Sequence, residues 1–173
     1  MTRAVLSLGA NLGDRAGALR GAITALAADG LVARSTLYET PPWGPVEQPP
    51  YLNAVVVVRG PRDAAGWLVR AHELEQAAGR TRERRWGPRT LDVDVVTVTE
   101  DDGTPVVSDD PRLTLPHPRA HERAFVLVPW MDADAEGTLR VDGQVRRVSE
   151  LLAEVGRDGV SLGPDVDLLE GGW

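Results

Sequence analysis

Four valines in a row, at positions 55–58, constrain this chain more than any other feature. Side chains branched at Cβ lose rotamer freedom in a helix and pack well on a pleated surface, so residues 51–59 read as a strand. The segments around it alternate between strand and helix patterns. Residues 3–8 read as a short strand ending in the turn Gly9-Ala-Asn-Leu-Gly-Asp14. Asp14 is placed to cap a helix running to about Ala28, with Leu19, Ile23 and Leu26 on one face. Residues 31–38 read as a second strand, and the proline-rich loop 40–50 cannot join a sheet ladder. A second helix is expected over 63–78, with Trp67, Leu68, Ala71, Leu74 and Ala78 at core spacing. Residues 91–99 form a further strand, and short strands follow near Val106 and Leu113. Residues 120–131 look helical apart from Pro129, and Val148–Val155 forms another short helix. Strands and helices interleave without a strict βαβ rhythm, which is the pattern of an α+β sandwich with a largely antiparallel sheet.

Composition narrows the chemistry. With 173 residues the chain has room for one domain, 1–173, and not for two full ones. It has no cysteine, so disulfides, thiolate zinc sites and cysteine nucleophiles are excluded together. All 19 basic residues are arginine. A P-loop and a protein kinase each need a lysine on the phosphates, and both are therefore excluded. The net charge of −7 argues against a nucleic-acid partner. No apolar run approaches membrane-spanning length, and the N-terminus enters a strand pattern at once without a signal-peptide layout. A cytoplasmic protein without a membrane partner is expected.

The chemistry concentrates in residues 84–94, Arg-Arg-Trp-Gly-Pro-Arg-Thr-Leu-Asp-Val-Asp. Residues two apart on a strand share a face, so Asp92 and Asp94 look into one site, their Cα atoms roughly 7 Å apart. Paired carboxylates beside arginines suit a magnesium ion carrying phosphate oxygens, because magnesium takes few carboxylates and arginine matches phosphate geometry. Taken alone, Asp-x-Asp is more often a pair of solvated acids, and the neighbouring arginines shift the balance. Residues 80–89 hold five arginines and one glutamate, a local charge of +4, together with Trp86 and Gly-Pro. A charged loop of this kind suits a lid that closes over phosphates while Trp86 excludes water. His117 sits among Arg112, Arg119 and Arg123. The spacing to His121 is half of a zinc site, but Pro116 and Pro118 prevent the helix that such a site needs, so contact with phosphate or ribose is the better reading. Trp43, Tyr51 and Asn53 surround the proline loop. They suit either a flat heteroaromatic ligand or ordinary packing, and from this segment alone the two are balanced.

Six motifs break that balance. Ser7-Leu-Gly-Ala-Asn-Leu-Gly-Asp-Arg15, Tyr38-Glu-Thr-Pro-Pro-Trp-Gly44, Gln48-Pro-Pro-Tyr-Leu-Asn-Ala54, Gly79-Arg-Thr-Arg82, Arg85-Trp-Gly-Pro-Arg-Thr-Leu-Asp-Val-Asp94 and Leu113-Thr-Leu-Pro-His117 occur in order over residues 3–130. The chain thereby resembles the 6-hydroxymethyl-7,8-dihydropterin pyrophosphokinase family. The resemblance implies a ferredoxin-like core within an α/β/α sandwich. It implies transfer of diphosphate from ATP to a reduced pterin, giving AMP, in folate biosynthesis; a monomer acting on these two small molecules is expected, and the lysine-free composition rich in Ala, Gly and Val looks bacterial. By the same resemblance Asp92 and Asp94 hold two magnesium ions and act in catalysis with Arg80 and Arg89. Glu75, Arg80, Arg82, Trp86, Arg89, Arg112, Thr114, His117 and Arg123 match ATP-binding positions. Thr40, Pro41, Trp43, Tyr51, Asn53 and Phe125 match the pterin pocket. The sequence departs from the familiar pattern at Trp43, His72 and Ala10, and its arginine loop is one residue shorter than in some members. No functional match extends past about Val155, so residues 156–173 are expected to be peripheral. Two other readings stay open at this point. One is a ferredoxin-like module that binds RNA or protein through the arginine loop, and the other is an ATP-dependent phosphotransferase that releases ADP.

Overall fold

A computed structural model of the chain describes residues 1–42, 45, 47–79 and 90–165. Strand β1, Thr2–Ala10, runs antiparallel to β4, Tyr51–Gly60, on one side and to β5, Asp92–Glu100, on the other. The chain leaves β1 through Asp14, whose carboxylate accepts the Gly17 N–H at 3.0 Å and starts helix α1, Arg15–Ala27. Such a cap satisfies one of the four N–H groups that open every helix. Asp63 does the same for helix α2, Ala64–Ala77, through the Gly66 N–H at 2.8 Å.

Between α1 and β4 lie two short strands, β2, Leu31–Arg34, and β3, Tyr38–Thr40, both antiparallel to β4. The single strand expected over 31–38 is therefore interrupted. The four-residue step from Arg34 to Tyr38 faces a three-residue step from Val56 to Asn53, so the chain must bulge. Ser35 makes the bulge tolerable: its N–H donates to the Val55 carbonyl and its Oγ accepts the Val55 N–H, both at 2.9 Å. A last short strand, β10, Ser161–Leu162, adds to the outer edge of β3. Among the described residues six strands thus form one antiparallel sheet, in the order β10-β3-β4-β1-β5 with β2 also on β4.

Alternate residues feed two apolar layers. Leu6, Leu8, Val56, Val58, Val93 and Val95 pack against Leu19, Ile23 and Leu26 of α1 and Trp67, Ala71 and Leu74 of α2. Val5, Val55, Val57 and Val96 face the other way. They pack against Val126, Leu127 and Trp130 of α3, Ala124–Ala133, and Leu151 and Leu152 of α4, Val148–Val155. The result is an α/β/α sandwich with a largely antiparallel sheet, as expected from the sequence. Among the described residues no helix is long and apolar enough to cross a membrane.

Two further expectations are corrected, and one hairpin had no counterpart among them. Residues 120–131 do not make one helix: a 3-10 turn, Ala120–Glu122, is separated from α3 by Arg123 in extended backbone, φ −108° and ψ 103°. The strand expected near Val106 lies slightly later, as β6, Ser108–Asp110, paired with β7, Leu113–Leu115. A hairpin of β8, Thr138–Val141, and β9, Gln144–Arg147, went unread, although its turn is Asp142-Gly143 with both φ values positive. Asp-Gly is the usual signal for such a two-residue turn.

Candidate active site

Helix α3 covers only part of its sheet face, and at the uncovered end the strands present polar residues. Ser7 and Gly9 lie at the end of β1, Tyr51 and Asn53 at the start of β4, and Asp92 and Asp94 at the start of β5. The pairing places them in rows, with Ser7 opposite Asp94, and Gly9 between Asp92 and Asn53. These residues line one cavity of about 590 Å³, which His117, Arg119, Glu122, Arg123, Phe125 and the segment 158–160 also enclose. Gly9 sits close under two of these side chains. A Cβ on it would come within 3.3 Å of Asn53 Oδ1 and 3.5 Å of the Tyr51 ring.

The part of the cavity beside β3 and β4 is anchored through polar contacts. The Asn53 amide donates to Thr40 Oγ1 at 2.7 Å, tying β4 to β3 beside Pro41. Buried Asn11 donates to Gln48 Oε1 at 2.7 Å and to the Pro49 carbonyl at 3.1 Å, and Arg15 donates to the Pro50 carbonyl at 2.9 Å. These bonds fix where the proline-rich loop re-enters the sheet at Tyr51.

At the opposite part, β5 carries a bulge. Val5 faces Thr97 while Leu6 faces Val95, so Val96 has no partner on β1. Its carbonyl accepts the His117 N–H at 2.8 Å, which draws the segment after β7 onto the sheet. His117 Nδ1 accepts the Arg119 N–H at 3.2 Å, so in the neutral ring the proton sits on Nε2. Burial holds the His117 pKa below the ordinary histidine value. Arg123 and Arg119 push the same way, and the Asp94 carboxylate opposes them. Arg123 reaches toward Asp94, with 4.0 Å between Nη1 and Oδ2, and lies over the Phe125 ring at 5.4 Å. Burial also lowers the Arg123 pKa, which leaves it a cation at neutral pH.

The cavity thus brings together Asp92, Asp94, His117 and Arg123 with Thr40, Pro41, Tyr51, Asn53 and Phe125. Three expected ATP-binding residues are not on its lining. Glu75 is buried between α2 and β5, where its carboxylate accepts the Val93 N–H at 3.2 Å. Arg112 is 86% exposed and pairs with Asp110, and Thr114 Oγ1 donates to the Asp110 carbonyl within the β6–β7 hairpin. Trp43, Arg80, Arg82, Trp86 and Arg89 lie outside the described residues. Several lining residues carry little chemical signal in the sequence. Ser7 and Gly9 were legible in principle, since they alternate with the apolar Leu6 and Leu8. Asp158, Gly159 and Val160 carry no signal in the sequence; they lie on the cavity wall, while residues 166–173 of the tail expected to be peripheral lie outside the described residues.

Carboxylate oxygens are hard donors suited to magnesium. Among the described residues no group of three or more histidine, cysteine, aspartate or glutamate side chains could hold a metal ion. Two carboxylates without a third protein ligand fit an ion that also takes oxygens from phosphate and water.

Residues 5–135 match the family described as 7,8-dihydro-6-hydroxymethylpterin-pyrophosphokinase (HPPK). The chain is 49% identical to the 2-amino-4-hydroxy-6-hydroxymethyldihydropteridine pyrophosphokinase of Mycobacterium tuberculosis over 97% of its own length and 94% of the relative's. It is 52% identical to the protein of the same name from Mycobacterium leprae, over 94% and 89% of the two chains. In fold it is similar to the Plasmodium falciparum HPPK-DHPS structure, with a TM-score of 0.62, 14% identity and 88% of this chain covered. The chain spans 44% of that longer protein, and the likeness bears on fold alone. With the family match spanning most of its length and relatives near half identity along nearly all of it, the chain belongs to the 7,8-dihydro-6-hydroxymethylpterin-pyrophosphokinase family.

Proposed function

We propose that this chain transfers diphosphate from ATP to the hydroxymethyl group of 6-hydroxymethyl-7,8-dihydropterin, giving AMP and the pterin diphosphate for folate biosynthesis. The observation that carries the reading is a single cavity joining two strand carboxylates to an aromatic and amide wall. Tyr51 and Phe125 offer ring faces to a flat heterocycle, and Asn53 with Thr40 offers hydrogen-bonding groups at its edge. The hydroxymethyl group then points along β1 toward Asp92 and Asp94.

Asp92 and Asp94 would hold two magnesium ions, which when bound neutralise phosphate charge and orient the transferred group. Neutral His117, with its proton on Nε2, donates to a phosphate oxygen without adding a charge beside Arg123. Arg123 meets phosphate charge near Asp94. The substrate hydroxyl oxygen bonds to the β-phosphorus, its proton is released, and the bond from that phosphorus to the α-phosphate oxygen breaks to leave AMP. Positioning and charge stabilisation are most of what such a transfer asks of a protein. Arg80, Arg82, Trp86 and Arg89, together with Glu75, Arg112 and Thr114, enter the proposal through the resemblance. We place the enzyme in the cytoplasm, as a monomer acting on ATP and the pterin without nucleic-acid or membrane partners.

The test is to incubate the protein with ATP, magnesium and the reduced pterin and to separate the nucleotides. AMP in step with pterin diphosphate is expected. ADP in its place would mean monophosphoryl transfer, and no nucleotide turnover would favour a binding module.

A further inference from the structure

The chain after α4 returns to the cavity and is fixed there by its backbone. Ser161 and Leu162 pair with Glu39 and Tyr38, and the Gly163 N–H donates to the Leu37 carbonyl at 2.9 Å. Just before them the Val160 N–H donates to the Arg157 carbonyl at 3.1 Å, which closes a turn over residues 157–160. Gly159 has φ +81°, and a Cβ on it would lie 3.5 Å from the Pro41 ring, so the backbone of the turn is seated on Pro41. A β-branched or bulky side chain does not adopt that φ readily. Val160 packs on the α3-side core, while Asp158 is exposed and borders the cavity.

The position of this acid beside the sheet edge bears on what it can do. β10 is separated from β5 by β3, β4 and β1, four strand spacings or about 19 Å. Asp158, on the turn that leads into β10, therefore belongs to the wall of the cavity away from Asp92 and Asp94. It stands beside Pro41, on the side of the cavity where Thr40 and Asn53 meet. There the Asn53 amide N–H already serves Thr40 Oγ1, and neither group brings a negative charge. A reduced pterin carries an exocyclic amino group and ring N–H groups along one edge. An ionised carboxylate is acceptor-only and pairs with such donors through two oxygens. The same charge repels phosphate from this end and favours it at the Arg123 end, so the cavity is polarised along its length.

We propose that Asp158, carried on the turn clamped to Pro41 and β3, is a specificity-determining residue that accepts hydrogen bonds from the N–H edge of the bound pterin. The inference rests on the pyrophosphokinase reading and extends it to a segment beyond residues 5–135, where the family match ends. The experiment measures AMP formation by the full chain and by Asp158→Asn and Asp158→Ala, varying each substrate in turn. A rise in the pterin KM of about tenfold in both variants is expected, with ATP KM and kcat held within about twofold. A pterin analogue lacking the exocyclic amino group should bind the wild type more weakly than the natural pterin and discriminate less in Asp158→Asn. Unchanged pterin KM in both variants of an active enzyme would overturn the role of Asp158 alone, as would equal rises in both KM values. A wild-type chain that forms no AMP would overturn the pyrophosphokinase reading and this inference with it.

Discussion

The two faces of the sheet use alternate residues of the same strands, yet one is sealed and the other is open at one end. Toward α1 and α2, Leu6, Leu8, Val93 and Val95 are buried against leucine, isoleucine and tryptophan, and along β1 this parity is apolar from Ala4 to Ala10, while Thr2 at its start accepts the Trp67 Nε1–H at 2.8 Å. Toward α3, the pattern changes partway along each strand. Val5, Val55, Val57 and Val96 are core, whereas Ser7, Gly9, Asn53, Asp92 and Asp94 border a cavity. A strand cannot move a side chain to the other face without slipping register. The apolar layer therefore fixes the direction in which the polar residues point. The lesson is a division of labour along single strands, in which stability comes from one parity and chemistry from one end of the other.

That division is open to attack by substitution, and the largest effect belongs to the open face. Asp92→Asn and Asp94→Asn should each lower turnover by about a hundredfold or more, because metal-based charge stabilisation is worth several kcal/mol of barrier. Melting temperatures should move little, since Asp94 is exposed and Asp92 only partly buried. Steady-state rates at saturating magnesium beside thermal melts check both halves, and near-normal turnover in the two variants would break the comparison. Next comes Leu8→Ala on the sealed face, one position from Gly9. It should cost about 2–5 kcal/mol of stability by leaving a cavity among buried neighbours. Denaturant unfolding measures it, and a loss of activity without a loss of stability would contradict the assignment of that parity.

A smaller effect is expected at the entrance to α1. Asp14→Ala removes the acceptor of the Gly17 N–H and should cost about 1 kcal/mol, with turnover unchanged. The mildest prediction concerns pH. The folded state holds the His117 pKa below its ordinary value of 6.5, so the unfolded chain takes up this proton first as pH falls. Stability is then fully present above 6.5 and declines as pH drops through that value toward the lower folded pKa. Melts of the metal-free protein between neutral and mildly acidic pH should show a shallower decline for His117→Asn. Parallel curves for the two proteins would place the buried imidazole outside this linkage.

Much of this architecture is legible in local sequence. The cap at Asp14, the valine run and the shared parity of Asp92 and Asp94 each follow from short-range rules. What escapes the sequence depends on distant partners. The break at Ser35 exists because its side chain takes over a ladder bond to Val55, twenty residues away. The break at Arg123 turns its guanidinium toward Asp94 on another element. The part played by Asp158 depends on a two-residue strand finding the edge of β3, which no periodicity can announce. Of the site itself, Asp92, Asp94, His117, Tyr51 and Asn53 were found from residue type and motif. Ser7 and Gly9 passed unassigned because small residues on a strand carry little chemical signal of their own.

The central claim is that substrates occupy the α3-side cavity at the open end of β1, β4 and β5. A second hollow of about 460 Å³ lies on the sealed side, between α1 and α2, lined by Gly17, Gly21, Leu74 and Ala78. A crystal structure of the chain with a non-hydrolysable ATP analogue, magnesium and the pterin distinguishes the two directly. The account predicts metal density between Asp92 and Asp94 and the pterin ring between Tyr51 and Phe125, with the hollow between the helices free of ligand. Nucleotide or pterin seated between α1 and α2, with Asp92 and Asp94 carrying no metal, would contradict it.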